Sequence, residues 1–361
     1  MTLMVMVLFV VGLVLLVAGA EVLVRGASRL AAGFRISPLV IGLTVVAFGT
    51  SAPELAVSAG ASLGGQGDIA LGNVLGSNIF NVLFILGLSA LIAPLVVSRQ
   101  LIRLDVPIMI GASLLVILLA LDGSLGRFDG ILLFGLIVAY TLFLIISSRR
   151  ANRPDDASEL GVPDAAQSGS ALINILMVLG GLVMLVLGAR WLVGGAVAMA
   201  TSLGVSERVV ALTIVAAGTS LPEVATSVIA SIRGQRDIAV GNVVGSNIFN
   251  LLAVLGVSSM LAPAGIGVSE SVLRFDMLVM FAVALACLPI FISGMRINRW
   301  EGLLFIAYYV VYNVHVVTTD GGAGGIPGLS SAMLYYVMPL TAVTLLLILL
   351  RSRGHAAHSG H

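Results

Sequence analysis

The amino-acid sequence predicts an all-α integral membrane protein. It is built from two inverted five-helix repeats (5+5) plus one extra C-terminal transmembrane helix. Three observations predict it. First, 59% of the 361 residues are hydrophobic and only 10% are charged, with a mean hydropathy of +1.15. A soluble domain normally carries about a quarter charged residues, so this chain cannot cover a water-facing surface. Second, apolar runs of about 18 residues or more recur along the whole length, which is what a helix needs to cross a bilayer. Third, residues 43–89 align without a gap on residues 212–258, a shift of 169, and 31 of the 47 positions are identical.

Eleven spans follow in order, at 3–30, 37–62, 69–97, 104–121, 129–148, 171–199, 206–231, 238–262, 273–293, 300–317 and 332–350. The first run, Leu3 to Ala20, has no basic flank and no small-residue cleavage site, so it is expected to stay as a helix and not to be a signal peptide. The stretch SRRANRPDDASELGVPDAAQSGS has Pro, Ser and charges without periodicity, and reads as a linker. Its acids Asp155, Asp156, Glu159 and Asp164 are those of a solvated loop or a weak calcium site. The expected units are residues 1–148 (first repeat), 149–170 (cytoplasmic linker), 171–317 (second repeat) and 318–361 (extra helix and tail). Weaker echoes extend the duplication: Arg103 and Asp105 recur as Arg274 and Asp276, and Arg127-Phe128-Asp129-Gly130 as Arg299-Trp300-Glu301-Gly302.

Five spans per copy is an odd number, so the second copy must enter the membrane from the opposite face. Inverted repeats of this kind are common in secondary transporters, with the substrate site at the midplane between the copies. With the N-terminus outside, 14 of the 18 arginines fall inside, leaving only Arg127, Arg190, Arg208 and Arg274 outside. The positive-inside rule then sets the N-terminus out and the C-terminus in the cytoplasm of a bacterial inner membrane. The lone Cys287 forms no intrachain disulfide, a net charge of +1 carries no nucleic-acid signal, and no obligate protein partner is evident besides the bilayer. The tail RSRGHAAHSGH is a polar end or a loose metal site.

The chemistry lies in the duplicated motifs. GTSAPE (49–54) puts Glu54 inside an otherwise apolar span, and GTSLPE (218–223) does the same with Glu223. Pro53 and Pro222 lack an N–H and crowd the preceding turn, and Gly49 and Gly218 loosen it, so both helices should break there. Carbonyls near Ala47 to Thr50 are then expected to be free, and Thr50 or Ser51 to cap the new half-helix. An ionisable residue at membrane depth is by default a functional site. Two carboxylates with carbonyls and hydroxyls make an all-oxygen cage, which suits hard cations such as calcium or sodium. A single such glutamate has a lesser second reading, as a protonated or helix-capping carboxyl with no ligand, and the inverted pair argues against it.

The second motif, DIALGNVLGSNIFN (68–81), recurs as DIAVGNVVGSNIFN (237–250). Asp68 and Asp237 are expected as N-caps. Asn73, Ser77 and Asn81 are spaced i, i+4, i+8 and form one polar stripe, either interhelical glue or ion ligands. Gly72 and Gly76 have the spacing that permits close helix contact. Asn78 and Asn247 point elsewhere and are expected to hold the broken partner helix.

These paired motifs resemble the two α-repeats of the cation/calcium exchanger superfamily, and among its members the prokaryotic sodium/calcium antiporters that themselves resemble potassium-dependent sodium/calcium exchangers. The resemblance covers residues 1 to 317. It implies ions held between spans 2, 3, 7 and 8. It implies calcium at Glu54 and Glu223 with the carbonyls of Thr50 and Thr219. It implies sodium at Ala47, Ser51, Ser77, Asn81, Ala216, Ser220, Ser246 and Asn250. It makes spans 1 and 6 long sliding gates, with glycines at 19, 26, 188, 194 and 195. No cofactor is implied, only transported Ca²⁺ and Na⁺. Many sodium/calcium exchangers carry aspartate where this chain has Asn250, so this cage holds two carboxylates, which balance one Ca²⁺ or two Na⁺.

The expected function is therefore a non-enzymatic antiport of Ca²⁺ against Na⁺ by alternating access. The alternative is Ca²⁺/H⁺ antiport on the same fold. The proton-coupled branch shows Glu-His where this chain has Gly-Ser at 76–77 and 245–246. An intramembrane hydrolase is disfavoured by the lack of an HExxH motif, and a channel by the inverted repeat.

Overall fold

The computed structural model describes residues 3–34, 36–151, 170–203 and 216–320. The linker acids, the start of the seventh span, the eleventh span and the tail histidines lie outside the described residues. Among the described residues, eleven helices of eight residues or more carry the fold: α1 (Leu3–Phe34), α2 (Pro38–Thr50), α3 (Ala52–Leu63), α4 (Gly67–Ile92), α5 (Leu101–Asp122), α6 (Arg127–Ala151), α7 (Ala171–Ser202), α8 (Leu221–Ile232), α9 (Arg236–Leu261), α10 (Val272–Ile292) and α11 (Arg299–Asp320). Seven of them are long and apolar enough to cross a membrane, or eight with the bent pair α2–α3 counted as one broken span. The expected tenth span, α11, is a helix of crossing length but falls outside that group.

The helices α4 and α9, which carry the two GNVxGSNIFN motifs, form the centre, and α9 is buried along its whole length. Around them α5 packs on α10, α6 on the end of α9, and α11 on the end of α4. The echo RFDG/RWEG explains the last two contacts. Asp129 accepts the Gly126 N–H (2.8 Å) and Glu301 accepts the Asn298 N–H (2.7 Å), so each acid closes its helix start. One residue later, a Cβ at Gly130 would meet the Gly256 carbonyl at 2.5 Å, and one at Gly302 the Gly87 carbonyl at 2.6 Å.

The longest contact joins α1 and α7. Gly12, Gly19 and Gly26 on one helix, and Gly181, Gly188 and Gly195 on the other, recur every seven residues and interleave antiparallel. A Cβ at Gly12 would lie 2.6 Å from the Leu192 nitrogen, and one at Gly188 2.6 Å from the Leu16 nitrogen. Small residues bring the backbones together where no water drives association. Gly194, expected in this track, faces open space, whereas Gly12 and Gly181 belong to it.

Two short sheets tie the copies at their ends. β1 (Leu95–Val96) pairs antiparallel with β4 (Arg296–Ile297), and β2 (Ser124–Leu125) with β3 (Ile266–Gly267). Each therefore joins the loop after one span of the first copy to the loop after a non-equivalent span of the second.

Candidate cation site

The break at the first motif is real. The axes of α2 and α3 differ by 46°, with Ser51 at φ −84°, ψ 8° between them and Pro53 in the first turn of α3. Pro222 sits in the same place at the start of α8, after Ser220 at φ −88°, ψ 8°. Both expected glycines are needed by contact as well. A Cβ at Gly49 would strike Leu182 at 2.5 Å, and one at Gly218 would strike Val193 at 2.6 Å, so α7 lies against both bends.

Three local expectations are corrected. The Ala47 carbonyl is not free, because it accepts the Ser51 N–H at 3.0 Å. Neither Ser51 nor Ser220 caps its half-helix, since ψ 8° at each departs from the extended backbone that aims an N-cap oxygen at the first-turn N–H groups. Asp68 and Asp237 sit in the first turns of α4 and α9, with Gln66 and Gln235 at the N-cap positions.

The serine hydroxyls cross between the copies. Ser51 Oγ donates to Glu223 Oε1 at 2.8 Å, and Ser220 Oγ donates to Glu54 Oε1 at 2.8 Å. Both glutamates are 0% exposed. The second oxygen of each, Oε2, has no hydrogen-bond partner among the described residues. The same holds for Asn81 Oδ1, Ser246 Oγ and Asn250 Oδ1. Buried polar atoms are normally paired, and leaving one unpaired costs about 1–3 kcal/mol. Five orphaned acceptor oxygens from both copies, two of them carboxylate, are what a hard cation would satisfy.

Ser77 joins the cluster, its Oγ lying 3.2 Å from the Ser220 Oγ. Thr50 Oγ1 donates to Asn242 Oδ1 (3.1 Å), and Thr219 Oγ1 donates to Asn73 Oδ1 (3.4 Å). Of Ala216 only the backbone, in the short turn Ala216–Gly218, is described. Asn81 and Asn250 each open a π-helical turn, Asn81–Leu86 and Asn250–Val254. π-turns inside helices are often found at functional sites.

The role expected of Asn78 and Asn247 falls to Asn73 and Asn242. Asn73 Nδ2 donates to Ser58 Oγ (2.9 Å) and to the Glu54 carbonyl (3.4 Å), and Asn242 Nδ2 donates to Ser227 Oγ (2.9 Å) and to the Glu223 carbonyl (3.5 Å). They hold the broken half-helices. Asn78 and Asn247 instead face each other, each Nδ2 donating to the other's backbone carbonyl at 3.5 and 3.4 Å. Asn242, Ser58 and Ser227 were not singled out in sequence. The signal was present, since Ser58 follows Glu54, and Ser227 follows Glu223, by one helical turn on the same face. Gly241 and Gly245 do permit close contact, a Cβ at Gly245 lying 2.7 Å from Leu43. The partners of Gly72 and Gly76 by the repeat, residues 208 to 216, fall almost entirely outside the described residues.

A family model described as "Sodium/calcium exchanger protein" matches residues 4–146 and 169–318. CaxA of Alkalimonas amylolytica is 40% identical over 290 residues, covering 78% of this chain and 89% of that one. The inner membrane protein YrbG of Escherichia coli is 40% identical over 239 residues, covering 66% of this chain and 74% of that one. A solved structure of the sodium-calcium exchanger NCX_Mj superposes with a TM-score of 0.75 at 31% identity, covering 86% of this chain and 98% of that one. With its paired, oxygen-lined glutamates, the chain therefore belongs to the sodium/calcium exchanger family, whose members are transporters of Na⁺ and Ca²⁺ that work without a cofactor and are not enzymes.

Proposed function

We propose that the chain is an alternating-access antiporter that moves Ca²⁺ in exchange for Na⁺ through one cage shared by the two copies. The observation that carries this is the reciprocal pair, Ser51 on Glu223 and Ser220 on Glu54, with an orphaned carboxylate oxygen on each side. Calcium is held by Glu54 and Glu223 with oxygens of Thr50 and Thr219. Sodium draws on Ala47, Ser51, Ser77, Asn81, Ala216, Ser220, Ser246 and Asn250. Both ions need the same two carboxylates, so they compete, and competition at one site is what couples their movements.

The two copies act as inverted 5+5 repeats. The sheet pairing supports this, because the loop after span 3 pairs with the loop after span 9, and the loop after span 4 with that after span 8. Loops that pair lie on one face of the membrane, which is possible only if equivalent spans run in opposite directions. The arginine distribution puts the N-terminus outside and the C-terminus in the cytoplasm. The eleventh span is an addition to this core.

The test is calcium uptake into proteoliposomes under an imposed sodium gradient, repeated with a pH gradient and no sodium. Sodium-driven uptake is expected. Uptake driven by the pH gradient alone would overturn the choice of coupling ion in favour of Ca²⁺/H⁺ antiport.

A further inference from the structure

The two copies are not in equivalent surroundings. The gate helix α1 packs along the half-helix α8, but its counterpart α7 makes no comparable contact with α3. As a result Thr226 on α8 is 0% exposed, whereas Val57, its equivalent on α3, is 44% exposed. Among the described residues, the gate helix covers α8 at this position and leaves α3 uncovered at the equivalent one.

An ion pair sits at the covered end. Arg233 is the C-cap of α8, and its Nε donates to Glu21 Oε2 on α1 at 2.9 Å. Its Nη2 lies 2.7 Å from Glu21 Oε1. Arg25, one turn along α1, holds the same Oε1 at 2.5 Å and presents the carboxylate to the fork. A two-pronged guanidinium–carboxylate contact fixes orientation as well as charge. The 169-residue shift places Arg190 where Glu21 is and Gly64 where Arg233 is, so the other end lacks such a pair.

We propose that Glu21 and Arg233 are gating residues of the transport cycle. Their ion pair locks α1 over the end of α8 and biases the protein toward the state closed at that end and open beside α3. This rests on the alternating-access reading above, under which the Arg233 end is cytoplasmic. The lock must break for ions to leave there. The side chains remain partly exposed, 21% for Glu21 and 52% for Arg233, so it is a weak, reversible bias.

The experiment uses the full chain in liposomes permeable to reagent, without Na⁺ or Ca²⁺, with a charged methanethiosulfonate as probe. Val57→Cys and Thr226→Cys are introduced separately, and Cys287, fully buried, is measured alone as the background. Cysteine at 57 should label quickly and cysteine at 226 slowly. Adding Glu21→Gln should raise the rate at 226 by roughly two- to fivefold and lower that at 57. The swap Glu21→Arg with Arg233→Glu should restore the original ratio, which neither single reversal does. A ratio unchanged by Glu21→Gln, a swap no better than the single reversals, or no labelling at 57 would overturn the lock. Labelling needs no transported ion, so a chain that follows this pattern yet fails sodium-driven calcium uptake would refute the antiport and leave the lock standing.

Discussion

Replacing Glu223 by glutamine keeps the shape of the site and removes one charge. The carboxylate is 0% exposed, its Oε1 is held by Ser51 at 2.8 Å, and its Oε2 has no partner. A glutamine can turn its NH₂ to Ser51, whose hydroxyl also accepts, and leave its carbonyl facing the cage. Glu54 then remains as the sole countercharge. It balances one Na⁺ but leaves Ca²⁺ with an uncompensated buried charge. Removing one partner of a buried charge pair costs about 3–5 kcal/mol. At 1.4 kcal/mol per decade, Ca²⁺ affinity should fall by roughly 10²- to 10³-fold, and Na⁺ affinity by clearly less. The assays are calcium binding by titration calorimetry and sodium-driven calcium flux in proteoliposomes. Flux and Ca²⁺ affinity within threefold of the unmodified chain would refute the placement of the ion between the two glutamates.

Ser220→Ala removes the donor to Glu54 (2.8 Å) and the link to Ser77 (3.2 Å). A hydrogen bond to a charged group is worth about 1.5–3 kcal/mol, so Ca²⁺ binding should weaken about ten- to a hundredfold, read by the calcium-induced rise in melting temperature. Gly188→Ala forces a methyl to 2.6 Å from the Leu16 nitrogen and should cost about 1–3 kcal/mol of stability, while Gly60→Ala, facing open space inside α3, should be neutral or stabilising by up to about 1 kcal/mol. Thermal unfolding in detergent compares the two. Tyr140→Phe strips the fully buried Asp105 of a 2.9 Å donor, leaving Gln100 at 3.2 Å, and should lower stability by about 1–3 kcal/mol with ion affinity unchanged.

Much of the site was legible because the chain states it twice. A single buried glutamate is ambiguous. Glu54 and Glu223 in gapless copies are not, and proline chemistry alone foretold where α2 would bend. What failed was local and of one kind. Ser51 and Ser220 are good N-cap residues by propensity, yet neither caps, because the bend leaves both at ψ 8° and turns their hydroxyls toward the opposite copy's glutamate. Asn73 and Asn78 lie on different faces of one helix, and helical periodicity says so. Periodicity does not say which face meets the half-helix and which meets the other copy.

Sequence by itself determined that this protein lives in a bilayer, that it is duplicated, and which oxygens are available for a cation. These follow from composition, spacing and backbone chemistry, all of which are local. Only the tertiary structure decided which oxygens are already spent and which remain orphaned, since that depends on contacts between residues some 170 positions apart. Only it showed that α1 covers α8 while α7 leaves α3 open. The duplicated motifs are nearly identical, and the residues that break the symmetry, Glu21 and Arg233, lie outside them and 212 positions apart. The difference lies in how they pack, and it gives Glu21 and Arg233 a place in the cycle that neither motif contains.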